Sequence, residues 1–589
     1  MLRPRRWTIA EPHTDAKELA ERLKVSPLIA QVLINRGMRE PQACMEFLRP
    51  SLKLLHDPNG IPNLPQAAER IAQAIKARDK IVIYGDYDVD GITATAILWH
   101  AITQLGGVAD FYIPHRIEEG YGLSSEAIAQ ICDLGAKLIV SVDCGVTAVE
   151  PARVARDRGV ELIVTDHHEW HAAEGQANLP LAPLLPDCHS IVHPRLPGTT
   201  YPNPHLCGAG VAFKLAWGIG QAVNGASRVS EEFKHFLVEA TGLAALGTIA
   251  DVVPLIGENR ILAAFGLGGL KQSKLTGIKA LIESAGLTGQ NLDSYHVGFL
   301  LAPRLNACGR MGHARLAVEM LTRADFATAM EIATYLEQQN RQRQSIEKKI
   351  LTEALDQVKT NNYDADDCRA VVLGGEGWHA GVIGIVASRI VDRLHRPAIM
   401  VALNNGHGQG SGRSIAGFHP ARALESCHEH LEAHGGHEMA AGLKLQTPKF
   451  EDFRQAFCEY ASKQIDDVMM TPQLHLESLA ELRQLSAAVV NDLNRLGPFG
   501  HGNRKPLLCC RDLQIAQPPR RVGKTGDHLQ LFVRQGNTSM KCIAFNYGEL
   551  FDRLQPGTTI DLAVEPQINE FNGRTNVELE VKDLQFCGT

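Results

Sequence analysis

Short apolar runs that alternate with helical stretches characterise the first 320 residues of the chain. The runs at 81–84 (IVIY), 136–142 (AKLIVSV) and 160–165 (VELIVT) are rich in β-branched residues, which predicts buried strands. Buried strands that alternate with helices indicate a parallel sheet, and right-handed crossovers place the carboxyl ends of its strands along one edge. Side chains that follow these strands are therefore expected to meet.

The rest of the chain changes its pattern three times. After residue 324 there is no proline or glycine for more than 30 residues, which predicts one long helix that joins two lobes. Strand-like and helix-like stretches then alternate again, and the last part carries about five short strands separated by Gly, Pro and Asn turns, typical of a small barrel. The expected fold class is α/β, with two α/β lobes joined by a long helix and a C-terminal β-barrel. The predicted segments are a helical segment at 1–55, a first lobe at 56–320, the connecting helix at 321–362, a second lobe at 363–466 and the barrel at 467–589.

Carboxylates and histidines follow the three predicted strands of the first lobe. In an extended turn, residues i, i+2 and i+4 point to one side, so the acids of DYDVDG at 86–91 converge, and converging carboxylates repel unless a cation lies between them. The side chains at these strand ends are Asp86, Asp88, Asp90, Asp143, Asp166, His167 and His168. Asp251 lies in the apolar stretch GTIADVVPL, where a lone carboxylate is costly unless it is paired or bound to metal. The alternative interpretation of Asp251 is an N-cap or surface acid. The sequence therefore predicts a metal centre.

Three other interpretations of these motifs fail. DYDVDG matches the start of an EF-hand loop, but the twelfth position is Ile97 where a bidentate Glu is needed. HHEWH at 167–171 is one residue too short for a zinc-protease motif, and Pro518 occupies the first glycine position of a P-loop before GKT at 523–525. A donor set of four or five aspartates with two histidines suits Mn²⁺ or Mg²⁺, and its size favours two ions.

Composition restricts the class of protein. With 44% apolar and 21% charged residues, the chain is typical of a soluble globular protein, and it contains no uncharged apolar stretch long enough to span a membrane. Its basic start lacks an apolar signal core, and its thirteen cysteines include no C-x-x-C pair, so we expect a reducing, cytoplasmic location. The net charge of −7 means that any nucleic acid must be held by local basic surface.

Candidate anion-binding surface occurs in the second lobe and the barrel. Glycine-rich loops at 406–414 (GHGQGSGRS) and 435–442 (GGHEMAAG) let backbone N–H groups approach a phosphate, and Arg413 can donate to it in a bidentate manner. In the barrel, basic residues that include Arg520 and Arg521 lie among aromatic residues, as stacking on single-strand bases would require. Each aromatic residue is equally well explained as core. The aromatic set is Phe532, Phe545, Tyr547 and Phe571.

The motifs YGDYDVDG, VSVDCG, VTDHH and GTIADVVPL, in that order, resemble those of the DHH (Asp-His-His) phosphoesterase superfamily. The segments APRLNACGRMGHA, GEGWHAGVIGIVASR, GSGRS, GGHEMAAG and GPFGHGNRKP resemble the RecJ single-strand-specific DNA exonucleases in particular. The resemblance covers nearly the whole chain except about the first fifty residues. It implies a parallel-sheet DHH domain, a DHH-associated domain and a C-terminal OB-fold.

The resemblance also implies roles for individual residues. The expected metal ligands are Asp86, Asp88, Asp90, Asp143, His167 and Asp251, with Asp143 bridging two ions and Asp86 either a ligand or a neighbour of the ligands. His168 is expected nearer the phosphate. The expected nucleic-acid contacts are Arg304, Asn306, His379, Ser411, Arg413, His437, Arg520 and Arg521.

Three functions remain as hypotheses. The resemblance implies a 5′ to 3′ exonuclease that releases mononucleotides from single-stranded DNA in repair and recombination, acting as a monomer with a single-strand-binding protein and a helicase as partners. A small-substrate phosphodiesterase of the same superfamily, acting on short oligonucleotides or cyclic dinucleotides, would have little use for the C-terminal barrel. A non-catalytic single-strand-binding protein would gain nothing from a costly carboxylate cluster.

Overall fold

The structure is a computed structural model that describes residues 5–116, 119–170, 184–311, 313–571 and 574–587, without the side chains of residues 311, 571 and 574. The chain forms two compact units. We call Gln42–Asn340 with Asn494–Lys505 the sheet unit, and Met1–Pro41 with Arg341–Leu493 and Pro506–Thr589 the barrel unit.

A strand and three helices form the N-terminal segment. Their bounds are β1 (Arg6–Ile9), α1 (Ala16–Leu23), α2 (Pro27–Asn35) and α3 (Pro41–Leu48). The sequence pattern of this segment predicts only helices. Strand β1 has no local signal because it has four residues and pairs in parallel with residues 473–476, far away in the chain.

The sheet unit contains a five-stranded parallel sheet. Its strands are β2 (Lys80–Gly85), β3 (Val108–Tyr112), β4 (Leu138–Val142), β5 (Glu161–Thr165) and β6 (Ser190–Val192), in the order β3-β2-β4-β5-β6. The three strands expected from the apolar runs are confirmed as β2, β4 and β5. Strand β2 is buried on both faces: Ile81 and Ile83 belong to one apolar core, and Val82 and Tyr84 belong to another.

Helices pack on both faces of this sheet, and further helices pack against those helices. They are α4 (Leu64–Ala77), α5 (Val89–Gln104), α6 (Ser125–Asp133), α7 (Val149–Asp157), α8 (Gly208–Asn224), α9 (Glu231–Ala250), α10 (Gly257–Leu270), α11 (Thr276–Ser284), α12 (Ala302–Met311) and α13 (Ala314–Thr322). A π-helical turn, His296–Leu301, leads directly into α12, and 3₁₀ turns lie at Leu52–Leu54 and Pro58–Gly60. Helices α5, α8 and α9 pack together on one face, whereas α6 and α7 cover the other.

The order of the strands determines where a site can form. Strand β2 lies between β3 and β4, so the connections that leave β2 and β3 run in opposite directions along the sheet. In open α/β sheets the carboxyl ends of strands leave a crevice at such a switch point, and ligands bind there. The acidic turn after β2 and Asp143 after β4 both lie at this position.

Helix α14 (Phe326–Thr360) confirms the long connecting helix. Its 35 residues span roughly 50 Å at 1.5 Å per residue. The second lobe follows with β7 (Val371–Glu376), α15 (Ala380–Leu394), β8 (Ala398–Asn404), β9 (His407–Arg413), α16 (Pro420–Ser426), β10 (Ala433–Gly436), β11 (Ala440–Gln446) and α17 (Phe450–Gln464), and with 3₁₀ turns at His428–His430 and Thr447–Lys449. Its sheet has the order β10-β11-β9-β8-β7 and is parallel only between β7 and β8.

The C-terminal strands close into a barrel, as expected. The elements are β12 (Gln473–Leu476), β13 (Ser478–Leu479), α18 (Ala487–Asn494), β14 (Leu508–Ile515), β15 (Arg520–Val522), β16 (His528–Gln535), β17 (Thr538–Ala544), β18 (Thr559–Phe571) and β19 (Arg574–Phe586), with 3₁₀ turns at Leu482–Gln484 and Gly548–Arg553. Pairing runs β14-β18-β19-β17-β16 and returns from β16 to β14, with β17 and β19 parallel. This five-stranded closed barrel is the OB-fold that the resemblance implies.

No helix in the part of the chain that the structure describes is both long enough and apolar enough to cross a membrane.

A buried ion pair holds the sheet unit's core together beside α8 and α10. The side chains of Lys214 and Glu258 are both fully buried and hydrogen-bonded to each other. Glu258 also accepts from the Tyr201 hydroxyl at 2.5 Å and from the His56 N–H at 2.7 Å. The carboxylate therefore satisfies three donors at once.

We expect Glu258→Ala to destabilise the protein by about 3–5 kcal/mol, because the buried Lys214 charge loses its counter-ion and keeps only the His56 carbonyl as an acceptor. Replacing both members, Lys214→Met with Glu258→Met, should recover only part of that loss, because the Tyr201 hydroxyl and the His56 N–H would still lose their acceptor. Thermal unfolding of both variants, with the exposed Glu331→Ala as control, measures the difference. A single variant as stable as the control would show that the pair contributes nothing.

Candidate metal centre

The acidic turn is held in place by the start of helix α5. Asp88 is the N-cap residue, and its Oδ1 accepts hydrogen bonds from the N–H groups of Asp90 at 2.9 Å and Gly91 at 3.2 Å. The Val89 N–H donates to Asn306 Oδ1 at 3.2 Å, so α12 also fixes this turn. The three acids of DYDVDG therefore belong to one rigid strand-to-helix junction.

Asp90 is buried and faces the N-terminus of α8. It accepts from the N–H of Gly208 at 2.5 Å and of Ala209 at 2.8 Å, where the helix dipole also favours negative charge. A Cβ on Gly208 would lie 2.5 Å from the Cβ of Asp143, and a Cβ on Gly247 of α9 would lie 2.4 Å from Asp90 Oδ1. Glycine at these two positions lets α8 and α9 approach the acids.

Asp143 is the central carboxylate of the cluster. It has φ of +61°, a conformation that Asp adopts more readily than most residues but that still costs free energy. Its side chain is buried, and its Oδ1 has no hydrogen-bond partner within the described ranges. The backbone thus aims an unsatisfied carboxylate oxygen into the crevice.

Three carboxylates surround the buried ring of His167. Its Nε2 lies 3.1 Å from Asp143 Oδ1, 3.6 Å from Asp251 Oδ2 and 3.7 Å from Asp90 Oδ2. Burial, followed by the charge of His168, lowers the pKa of His167 to about 4, so the ring is neutral at pH 7. Nε2 has no hydrogen-bond partner among the described residues, which leaves a neutral nitrogen available to a cation.

His168, unlike His167, forms a hydrogen bond with a carboxylate, that of Asp166. His168 Nδ1 lies 2.7 Å from Asp166 Oδ1 and 3.1 Å from the hydroxyl of Tyr121. Burial would lower the pKa of His168, but the hydrogen bond to Asp166 and its charge raise it to about 9. Asp166 is fully buried, which by itself would raise its pKa, but the hydrogen bond and charge of His168 hold that pKa below its ordinary value. Asp166 also accepts from the Val146 N–H at 2.9 Å, so it anchors His168 instead of facing the cluster.

Four carboxylates of the cluster have raised pKa values. Burial, followed by the charge of Asp88, raises the pKa of Asp86 to about 8, and burial, followed by the charge of Asp90, raises that of Asp251 to about 8. Burial also raises the pKa of Asp90 and of Asp143. Asp86 Oδ1 joins Asp143 Oδ1 and His167 Nε2 as a buried atom without a hydrogen-bond partner in the described part of the chain. Cations would remove both the repulsion and the unsatisfied atoms, so the donor set fits bound metal.

The donor atoms form overlapping groups. Within each group the ligand atoms lie within 4.8 Å of one another: Asp90 with His167 and Asp251, Asp143 with His167 and His168, and Asp86 with Asp88 and Asp143. Asp143 belongs to groups on both sides of the cluster. An all-oxygen group beside a group with imidazole suits ions of the Mn²⁺ or Mg²⁺ type, and the bridging of two ions by Asp143 stays a prediction.

The predicted nucleic-acid contacts are distributed over both units. In the sheet unit, Arg304 is largely buried and forms an ion pair with Glu337 at 2.9 Å, whereas Asn306 bonds to the acidic turn. Both contacts give these residues a positioning role, and their contact with nucleic acid stays a prediction.

The second lobe brings several predicted contacts together. Arg413 donates to Ser411 Oγ at 3.2 Å, and β9, which carries both, pairs with β11 of the hairpin that bears the exposed His437. His379 caps α15, its Nδ1 accepting from the Gly381 N–H at 3.1 Å. A Cβ on Gly384 of α15 would lie 2.9 Å from Ser411 Oγ, so this helix and β9 are in close contact. Ser411 and Arg413 therefore lie together against α15, and phosphate binding by these four residues stays a prediction.

In the barrel, Arg520 and Arg521 are exposed on β15, and the Arg521 guanidinium lies 4.9 Å above the ring of Phe551. Phe545 is 48% exposed, whereas Tyr547 is buried with its hydroxyl donating to Asp583 Oδ1 at 3.2 Å. Tyr547 is therefore a core residue. The side chains of Phe571 and Arg574 lie outside the described residues.

A segment far away in sequence braces the loop that carries Asp251. Asp251 ends α9, Val252 has φ of +60°, and the Leu255 N–H donates to the carbonyl of His501 at 2.8 Å. Arg260 donates to the carbonyls of Phe47 at 2.8 Å and Arg495 at 3.2 Å, and to that of Gly497. We call residues 494–505 the brace. Nothing in its local sequence pattern signals this role, because its partners lie more than 200 residues earlier.

We expect Gly502→Ala to weaken Mn²⁺ binding several-fold. A Cβ at Gly502 would lie 2.9 Å from the Cβ of Pro254 and would shift the loop of Asp251. Gly536→Ala is the matched control: Gly536 also has positive φ, so both substitutions strain the backbone by about 1–2 kcal/mol, but it has open space around it. Mn²⁺ titration by electron paramagnetic resonance compares the variants. Equal affinities would contradict the role of the brace.

Comparisons with known proteins identify the family of the chain. The chain matches the DHH family, N-terminal domain at residues 80–248, the DHHA1 domain at 367–463 and the RecJ OB domain at 477–583. It is 38% identical over 582 residues, 98% of this chain and 70% of the relative, to the single-stranded-DNA-specific exonuclease RecJ of Bacillus subtilis (strain 168).

Two solved structures are similar over nearly the whole chain. The crystal structure of RecJ in complex with Mn²⁺ from Thermus thermophilus has a TM-score of 0.82 and 32% identity, with coverage of 99% of this chain and 80% of that one. Its complex with Mg²⁺ has a TM-score of 0.77 and 31% identity, with coverage of 99% and 79%. On the order of the domains, the identity along the chain and the shared fold, the chain belongs to the RecJ family of single-stranded-DNA-specific exonucleases.

Proposed function

We propose that this protein is a metal-dependent exonuclease that degrades single-stranded DNA from the 5′ to the 3′ end and releases 5′-mononucleotides. The observation that carries the proposal is the cluster of four carboxylates with raised pKa values, three of them around the neutral ring of His167, with three buried polar atoms left without a hydrogen-bond partner among the described residues. Such a cluster is costly to fold, and a protein that only binds strands would not need it.

The proposed ligands are Asp86, Asp88, Asp90, Asp143, His167 and Asp251. Bound Mn²⁺ or Mg²⁺ ions would polarise a phosphoryl oxygen and activate a water for in-line attack on a phosphodiester. The chain's own contribution is position: the α8 N-terminus orients Asp90, and the strained backbone orients Asp143 between the donor groups. Asp88 has a double role, because its Oδ1 caps α5 while the rest of its carboxylate remains for an ion.

His168 is proposed to contact the scissile phosphate. Its ring is half-exposed, and Asp166 and the Tyr121 hydroxyl fix its orientation. The hydrogen bond to Asp166 favours the protonated ring, which would neutralise charge on a phosphate oxygen. This assigns different work to neighbouring histidines, His167 as a ligand and His168 as a donor.

Strand binding is proposed for the second lobe and the barrel. The donors at His379, Ser411, Arg413 and His437 would hold phosphate groups, and Arg520 and Arg521 would contact the backbone of a longer strand. A closed OB-fold favours a polymeric substrate over a dinucleotide.

The cellular setting is proposed with the function. All thirteen cysteines are free, which supports a reducing cytoplasm. We propose a role in DNA repair and recombination as a monomer, with a helicase and a single-strand-binding protein as partners that supply and protect the strand.

Digestion of one single strand labelled at either end, with Mn²⁺ or Mg²⁺ present, tests the proposal. We expect a 5′ label to appear at once as a mononucleotide, whereas a 3′ label should pass through a ladder of shortening fragments. Early release of the 3′ label as a mononucleotide would reverse the proposed polarity, and cuts within the strand would exclude an exonuclease.

We expect Asp143→Asn to lower the rate of hydrolysis by several orders of magnitude, because the amide supplies neither the charge nor the second donor oxygen that two ions require. Asn tolerates positive φ, so the fold should be retained. Steady-state digestion, Mn²⁺ titration and thermal unfolding together measure the effect. A near-normal rate would remove Asp143 from the centre.

A further inference from the structure

Two exposed aromatic rings lie at the π-helical turn of the sheet unit: Tyr295 immediately precedes the turn and Phe299 lies within it. Tyr295 is 60% exposed and Phe299 is 68% exposed. The rings stack on each other, with centroids 5.0 Å apart and planes at 27°. Val297 and Leu301 of the same turn are buried in the core, so the aromatic pair is on the opposite, solvent-facing side. The core therefore does not explain these rings.

The turn is attached to the metal centre at two points. A Cβ on Gly298 would lie 4.0 Å from the side chain of Ile249, two residues before Asp251. The turn also continues without a break into α12, whose Asn306 accepts from Val89 in the acidic turn at 3.2 Å. Phe299 precedes Asn306 by seven residues, which corresponds to roughly 10 Å along a helix, on the order of three bases stacked 3.4 Å apart.

We propose that Tyr295 and Phe299 form a stacking platform for bases of the single strand, a few nucleotides from the scissile phosphate. The proposal rests on the proposed function, because it requires that a single DNA strand reaches the metal centre. Every base offers a π-face, so such a platform binds without sequence preference. Paired bases of a duplex already stack on their neighbours, so the platform also favours single strands.

The features of the turn fit this occupant better than a protein partner. The two rings stack on each other with planes 27° apart, which leaves the outer face of each ring for a ligand, and stacking on a flat ring face is what unpaired bases offer. π-helical turns inside helices are rare and often occur at functional sites. Tyr295 and Phe299 are four residues apart at this turn, and their rings stack on each other.

An abasic scan of the substrate tests the platform. Oligonucleotides carry one abasic site at each of the first several positions, and both KM for digestion and equilibrium binding to the non-cleaving Asp143→Asn protein are measured. For the protein with both rings intact, we expect an abasic site to weaken binding at one or two positions, about two to four nucleotides from the scissile bond. Tyr295→Ala with Phe299→Ala should weaken binding of intact strands roughly tenfold and abolish the dependence on those positions.

Two control proteins make the result specific. Tyr295→Trp with Phe299→Trp keeps two flat rings and should restore the abasic profile. Phe326→Ala removes another exposed aromatic ring of the same unit, 44% exposed, and should change nothing. Because the platform residues are exposed, their replacement should leave thermal unfolding within about 0.5 kcal/mol of the parent.

The outcomes separate this inference from the proposed function. If the alanine pair binds intact strands like the parent, or keeps the abasic profile, the platform is excluded whether or not the protein is a nuclease. If the profile is lost as expected but no mononucleotide is released by the parent protein, the platform stands and the proposed exonuclease activity fails.

Discussion

Electrostatic repulsion among buried carboxylates is the constraint on which the rest of the structure depends. Asp86, Asp90, Asp143 and Asp251 are held close together, and burial with mutual repulsion raises the pKa of each. A chain without strong positional restraints would relieve this by moving the acids apart. The sheet prevents it, since the carboxyl ends of β2 and β4 fix two of them, and the packing of α8 and α9 fixes the others. The energy stored in the cluster is what makes it bind cations.

Close packing around the acids restricts which residues can occupy the neighbouring positions. Gly208 and Gly247 have no room for a Cβ, because a Cβ there would meet the side chain of Asp143 or Asp90 well inside the distance of van der Waals contact. Asp143 and Val252 have positive φ, which is unfavourable for both and especially for the β-branched valine. Strain of this kind persists only where surrounding structure imposes it. At Val252 the imposing structure includes the brace, which bonds to Leu255 three residues later.

Much of the fold could be predicted because its signals are local. Strands β2, β4 and β5 are continuous apolar runs, and their ends carry the acids and histidines, so parallel connectivity alone brings Asp88, Asp143 and His167 to one edge. The five barrel strands follow from alternation and turn residues in the same way. The ligand set itself came from the resemblance and remains a proposal that the geometry supports.

Other features could not be predicted because their cause is not local. Strand β1 pairs with β12, which lies more than 460 residues later in the chain. The sequence gives no sign that Arg304 forms an ion pair with Glu337. Asp166 has the same chemistry as Asp143 and the same place after a strand. Only the structure shows that the carboxylate oxygens of Asp166 accept hydrogen bonds from backbone N–H groups and contact His168. By contrast, Asp143 Oδ1 has no hydrogen-bond partner among the described residues. Sequence identifies which acids reach the edge of the sheet but not which of them are already satisfied.

The brace shows that domains in sequence and units in space differ in this protein. The match to the RecJ OB domain covers residues 477–583, yet residues 494–505 pack with the sheet unit. Removing the C-terminal domain would therefore also remove the bond from Leu255 to His501 and the carbonyls that Arg260 binds. The loop of Asp251 would lose support, and metal binding would weaken together with strand binding. A truncated protein with low activity would not show that the barrel binds DNA. Substitutions at Arg520 and Arg521 change the barrel surface and leave the brace intact, so they isolate its contribution.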